Sequence, residues 1–249
     1  MDLFTSPEAL PLILGIGIFL IAALYSSVGH AGASGYIAVM SLLSLAPAII
    51  RPTALSLNIL VASIATLQFV RAGHFSWRLF WPFALLAVPL AFVGGYVTLP
   101  NDSFRIIVGL VLLYSAVHLV AQSSEEKPAT TPPIAAALAA GGIIGLLSGL
   151  TGTGGGIFLT PLLLFMGWAR AKSAAAVSAL FILLNSISGL LGNVSSTKAL
   201  PPFIIPLLIA AGIGGFLGSH LGSRKLASLA IKRFLAAVLL IAGVKLVFT

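Results

Sequence analysis

The chain of 249 residues contains no cysteine, which excludes disulfide staples, thiolate metal sites and thiol nucleophiles. Charge is nearly as scarce. Lys, Arg, Asp and Glu together make up 7% of the residues, against roughly 25% in a soluble domain, too few to coat a packed globule in water. Acid is rarest of all: Asp2, Glu8, Asp102, Glu125 and Glu126 lie at the amino terminus or in connections, and none falls inside an apolar run. Hard cations want anionic oxygen, and carriers of metal ions or protons commonly place carboxylates at mid-membrane. The missing acids therefore argue against cation transport, and neither a metal site nor a cofactor is expected.

What is present is apolar. Hydrophobic residues make up 59% of the chain and mean hydropathy is +1.15, the signature of an all-α integral membrane protein with lipid as its surroundings. The net charge of +8 comes from 13 Lys and Arg scattered singly or in pairs between apolar runs. That spacing is how membrane topology is written, so no nucleic-acid partner is expected. The first nine residues carry no Lys or Arg and so lack the basic start of a cleavable signal; the run after them reads as a retained span.

Eight long apolar runs predict transmembrane helices: Leu10–Val28, Thr53–Val70, Leu79–Leu99, Phe104–Ala121, Ile134–Leu150, Ala171–Leu191, Pro201–Leu221 and Ile231–Phe248. Two shorter runs, Tyr36–Ala46 and Ile157–Gly167, follow Gly-rich turns and are too short to cross the hydrocarbon at 1.5 Å per residue, so they predict half-helices. The polar stretch Gln122–Pro133 divides the chain into a first membrane repeat, 1–121, and a second, 134–249. At a spacing of 121 residues Ser27 matches Ser148, Gly35 matches Gly156 and Arg51 matches Lys172; at 124, Pro82 matches Pro206 and Gly94 matches Gly218. If both short runs carry the chain across, nine basic residues face one side and four the other. An odd number of crossings then inverts the second of the two pseudo-symmetric repeats; if both short runs are re-entrant instead, the split is eight to five, and either way both termini lie outside.

The singular stretches are Tyr25-Ser-Ser-Val-Gly-His-Ala-Gly-Ala-Ser-Gly35 and Leu147-Ser-Gly-Leu-Thr-Gly-Thr-Gly-Gly-Gly156. Both interrupt apolar helices. Gly29, Gly32 and Gly35 in the first, and Gly152, Gly154, Gly155 and Gly156 in the second, let a helix unwind and expose N–H groups. At the start of a half-helix those groups converge with the positive end of the helix dipole, which makes a site for a small anion. His30, Ser34, Thr151 and Thr153 add side-chain donors, and Asn58 and Asn185 lie on the long helices that follow. The competing explanation is that the glycines only let helices pack closely. Arg51 and Lys172 stand just before those long helices, as interface markers or as attractors of an anion. His118 and His220 read as structural or interfacial residues, and His74 as part of an interface anchor.

The chain resembles the sulfite exporter TauE/SafE family, also called the toluene sulfonate uptake permease group. The resemblance spans nearly the whole chain and is carried by two similar halves, each opening with a helix that runs into a Gly-rich turn. It is clearest in Gly149-Leu-Thr-Gly-Thr-Gly-Gly-Gly-Ile-Phe-Leu-Thr-Pro161. The first-half version has fewer glycines, a histidine, and Met40 where the second half has Pro161. The resemblance implies export of sulfite, thiosulfate or an organosulfonate across a cytoplasmic (inner) membrane, with no enzymatic step. If a proton is coupled, His30 is the candidate, since its reference pKa of about 6.5 lies near working pH. Two rivals stay open: a metal-ion permease, and a rhomboid-like serine protease with a Ser34–His220 dyad suggested by Gly32-Ala-Ser-Gly35 and Ser219-His-Leu-Gly222. A homodimer is neither required nor excluded by the sequence.

Overall fold

The computed structural model describes residues 9–27, 30–121, 130–197, 204–224, 239–241 and 243–248. Among the described residues the regular elements are all helices and there is no strand. In chain order they are α1 (Ala9–Ser27), α2 (Ala33–Leu42), α3 (Pro47–Arg71), α4 (Trp77–Tyr96), α5 (Asn101–Ala121), α6 (Ile134–Thr151), α7 (Gly156–Phe165), α8 (Ala171–Thr197) and α9 (Ile204–Arg224). Residues 239–241 and 243–248 are also helical. Among the described residues five segments are long and apolar enough to cross a bilayer: Pro47–Arg71, Trp77–Tyr96, Ile134–Thr151, Lys172–Ser195 and Ile204–Leu221. The run expected at Ile231–Phe248 lies largely outside the described residues. The short elements α2 and α7 have 10 residues each, about 15 Å of helix, half of the hydrocarbon thickness.

Local chemistry sets the boundaries. Pro47 opens α3 because its missing N–H is one that a helix start leaves unbonded anyway. The helix thus begins six residues before the expected Thr53 and takes Arg51 into its second turn. Ser76 caps α4 by accepting the Leu79 N–H at 3.4 Å.

Close packing is written in glycine at four-residue spacing. On α6, Gly141, Gly145 and Gly149 lie against the carbonyls of Phe83, Ala87 and Ala91 on α4, so close that a Cβ at any of them would overlap the oxygen. On α9, Gly214 and Gly218 meet the carbonyls of Phe19 and Ala23 on α1 in the same way. Lipid offers no hydrophobic drive for helices to associate, and bare backbone supplies the van der Waals contact that does. The close-packing explanation therefore holds for these glycines.

The two halves exchange partners. First-half α4 packs on α6 and α8, second-half α9 packs on α1 and α3, and α3 crosses α8 between them. Two large apolar cores result, with a small third one where Ala65 and Phe69 of α3 meet Ala175, Ala176 and Ala179 of α8. Of the two large cores, one gathers α1, α2, α3 and α5 with Leu207 and Ala211 of α9; the other gathers α6, α7 and α8 with Leu79, Phe80 and Phe83 of α4. The outer surface is apolar too, as the exposed row Leu12, Ile16 and Leu20 on α1 illustrates, which suits lipid rather than water.

Candidate functional site

Each Gly-rich stretch is a break between a long helix and a half-helix. The first separates Ser27 from Ala33; its Gly29 lies outside the described residues. His30 follows, its N–H bonded to Tyr25 O at 3.0 Å. Gly32 takes φ 102°, a left-handed conformation, and a side chain there would also strike the Tyr36 ring at 2.9 Å. Two tyrosines hold this break together. Tyr36 Oη donates to Ala31 O at 2.7 Å, and Ser34 Oγ donates to Tyr25 Oη at 3.0 Å. Gly35 belongs to α2 itself and packs on Ile21 and Tyr25.

The second break separates Thr151 from Gly156 and is buried throughout. Thr151 Oγ1 donates to Leu147 O at 2.7 Å and lies 2.9 Å from Thr153 Oγ1. Gly154 has φ 75°, and a Cβ there would sit 2.5 Å from Asn58 Nδ2 and 2.9 Å from Ser186 Oγ. Gly152 rests on the Arg51 stem, Gly155 on Phe181, and Gly156 on Ile182. At the start of α7 the N–H groups of Gly156 and Ile157 have no acceptor within their own helix, whereas those of Phe158 and Leu159 both bond to Gly155 O at 3.1 Å.

The breaks meet: a Cβ on Gly156 would lie 3.8 Å from the His30 ring. From α3, fully buried Asn58 reaches in, its Nδ2 donating to Thr153 O at 3.4 Å and Ser186 Oγ at 3.3 Å. From α8, the row Phe181, Asn185, Gly189 faces α6. Phe181 touches the site of Gly155 and Gly189 lies against Gly149, which places Asn185 one turn from each, over the end of α6. Asn185 is fully buried, and neither of its amide atoms has a hydrogen-bond partner among the described residues. The same holds for Asn58 Oδ1 and Ser148 Oγ. Buried polar atoms without partners are costly, more so in a membrane.

Charge around the site has one sign. Among the described residues the single carboxylate is Asp102, exposed at the start of α5. Buried Arg51 forks onto the last turn of α4, donating to Val97 O at 3.0 Å, to Gly94 O at 2.9 Å and to Gly95 O. This corrects the expected position of Arg51 and Lys172 before their helices. Arg51 lies inside α3, because Pro47 starts that helix early, and works as a cap on another helix; Lys172 is the second residue of α8 and is exposed.

The profile of the family described as Sulfite exporter TauE/SafE matches residues 14–246. The chain belongs to the TauE/SafE family. It is similar to the "Probable membrane transporter protein y4hK" of Sinorhizobium fredii (strain NBRC 101917 / NGR234), with 44% identity over 94% of this chain and 97% of the relative. It is also similar to the "Probable membrane transporter protein YunE" of Bacillus subtilis (strain 168), with 23% identity over 79% of each. No solved structure matches the chain. A TauE/SafE chain whose apolar helices fit membrane spanning is a membrane transporter.

In this TauE/SafE transporter the structure brings together His30, Asn58 and Thr151 to Gly156, with Asn185 alongside. It sets Gly32 within the first break against Tyr36, and Ser34 and Gly35 in the first turn of α2 against Tyr25. Ser34 is fully buried with its hydroxyl given to Tyr25, whereas His220 is exposed and stacked on Phe216. That arrangement offers nothing to the protease reading. Among the described residues no three His, Asp or Glu side chains gather as a metal site would require. Tyr25, Tyr36, Ser148 and Ser186 were not singled out from the sequence as site residues. Ser148 showed only as the repeat partner of Ser27, and Tyr25 and Tyr36 only as the first residues of a Gly-rich stretch and of the short run after it.

Proposed function

We propose that this transporter carries a small sulfur-containing anion, namely sulfite, thiosulfate or an organosulfonate, outward across the inner (cytoplasmic) membrane. The observation that carries the reading is the second break. There, buried backbone at the start of a half-helix lies beside polar side chains and, among the described residues, away from any carboxylate, where dipole and N–H groups favour negative charge. A membrane potential negative inside favours anion exit by about 2.3 kcal/mol per charge per 100 mV, so outward flow needs no coupled cation. If a proton is coupled, His30 carries it, and a His30→Ala variant then loses the parental pH profile.

The same reading takes repeats 1–121 and 134–249 as inverted copies, with eight long spans and two half-helices, working by alternating access. Its support is the reciprocal packing, α4 on α6 and α9 on α1, about the α3–α8 crossing. Rocking of one mixed bundle against the other across that crossing opens the breaks to either side in turn. The site lies within one chain, so the mechanism serves a monomer or a homodimer alike. The test is uptake into proteoliposomes holding the purified full chain. Labelled sulfite is expected to move and nickel or cobalt ions are not; the reverse result replaces this function with that of a metal-ion permease.

A further inference from the structure

We infer that the site selects an anion that still carries a proton, so that hydrogen sulfite is preferred over both a fully ionised oxyanion and an organosulfonate. This rests on the anion reading of the same site and narrows it.

The argument begins with the orientation of Asn58. Its amide faces Thr153 O, a carbonyl that can only accept, so the nitrogen must lie on that side. Oδ1 is thereby turned away, fully buried, with no donor among the described residues. Asn185 adds a second buried amide with both atoms unpartnered, and Ser148 Oγ a third such group beside the break. Of the neighbouring hydroxyls, Thr151 Oγ1 donates to Leu147 O and lies against Thr153 Oγ1, while Ser186 Oγ accepts from Asn58 Nδ2; neither Ser186 Oγ nor Ser148 Oγ reaches either amide oxygen.

An anion with no proton, such as sulfite dianion, sulfate or a sulfonate, satisfies N–H donors but leaves amide oxygens unbonded, and it meets their lone pairs with its own. Hydrogen sulfite differs by one O–H. Its oxygens take the N–H groups of the half-helix and the Asn185 nitrogen, while its O–H donates to Asn58 Oδ1 or Asn185 Oδ1. A site built to bond a hydroxyl rejects the analogue without it, because the buried acceptor is then left unpaired. The orphaned oxygens thus act as specificity-determining groups.

The test compares two monoanions of the same pyramidal shape at one mildly acidic pH: hydrogen sulfite, HO–SO2⁻, and methanesulfinate, CH3–SO2⁻. Initial rates into proteoliposomes of the full chain are expected to favour hydrogen sulfite by about tenfold. Asn185→Leu and Asn58→Leu are each expected to shrink that ratio towards one. Should a variant fail to fold, the parental ratio still decides. Equal rates for the two ions, or a ratio unchanged in both variants, overturn the proton requirement and leave anion transport standing. A requirement for Na⁺ over choline assigns the orphaned oxygens to a cation and overturns it too. If neither ion moves, the anion reading fails and takes this inference with it.

Discussion

Arg51→Met isolates the guanidinium fork from the stem that carries it. Methionine keeps an apolar chain under Gly152 but cannot donate to Gly94 O, Gly95 O and Val97 O at the end of α4. A buried carbonyl left unbonded costs roughly 1–3 kcal/mol, and three of them set an upper bound that relief from burying a charge reduces. A net loss of about 3 kcal/mol is expected, which for a chain of this size lowers Tm by roughly 6–12 °C. The assay is thermal unfolding of the detergent-purified protein followed by tryptophan fluorescence. Hydrogen exchange at the Val97 amide, bonded to Val93 O at 3.0 Å, reports fraying of the same turn. Arg51→Lys should fall between the two, since one ammonium cannot fork onto three carbonyls. A methionine variant melting within roughly 1 °C of the parent, with unchanged exchange at Val97, would refute the capping role.

Gly149→Leu should separate α4 from α6 and cost at least 1–3 kcal/mol, read as a loss of monodisperse protein on size exclusion. Gly142→Ala on the same helix meets only the flexible Leu90 side chain, at 3.0 Å, and should cost well under that; equal damage from both would undo the seam argument. Gly154→Ala combines a left-handed φ, worth roughly 1–2 kcal/mol against a side chain, with displacement of Asn58. Transport is expected to fall at least about tenfold while Tm drops only a few degrees, and full activity would contradict a role for this break.

Much of the fold was legible because membrane helices announce themselves by length and apolarity. Both half-helices were found within a few residues of their positions, since the glycine stretches before them cannot continue a helix cheaply. The start of α3 was missed for a definite reason: the apolar run was counted from Thr53, after Arg51 and Pro52, whereas Pro47 favours a first helical turn, and Arg51 was thereby placed outside the helix. The glycines of α6 and α9 looked like those of the breaks in composition. What separates them is three-dimensional: regular four-residue spacing opposite another helix's carbonyls, against consecutive glycines with φ above zero. The meeting of His30 with Gly156, and of Asn58 with Thr153, joins residues about a hundred positions apart, and no local pattern reports that.

The exchange of helices between halves has a consequence for synthesis. The face of α1 that receives α9 leaves the ribosome well before its partner exists, a wait of roughly ten to forty seconds at 5–20 residues per second. During that interval the carbonyls of Phe19 and Ala23 have only lipid or an insertion factor against them. The first half is therefore an unfinished object until the last helices arrive, and fidelity of biogenesis hangs on the late segments as much as on the early ones.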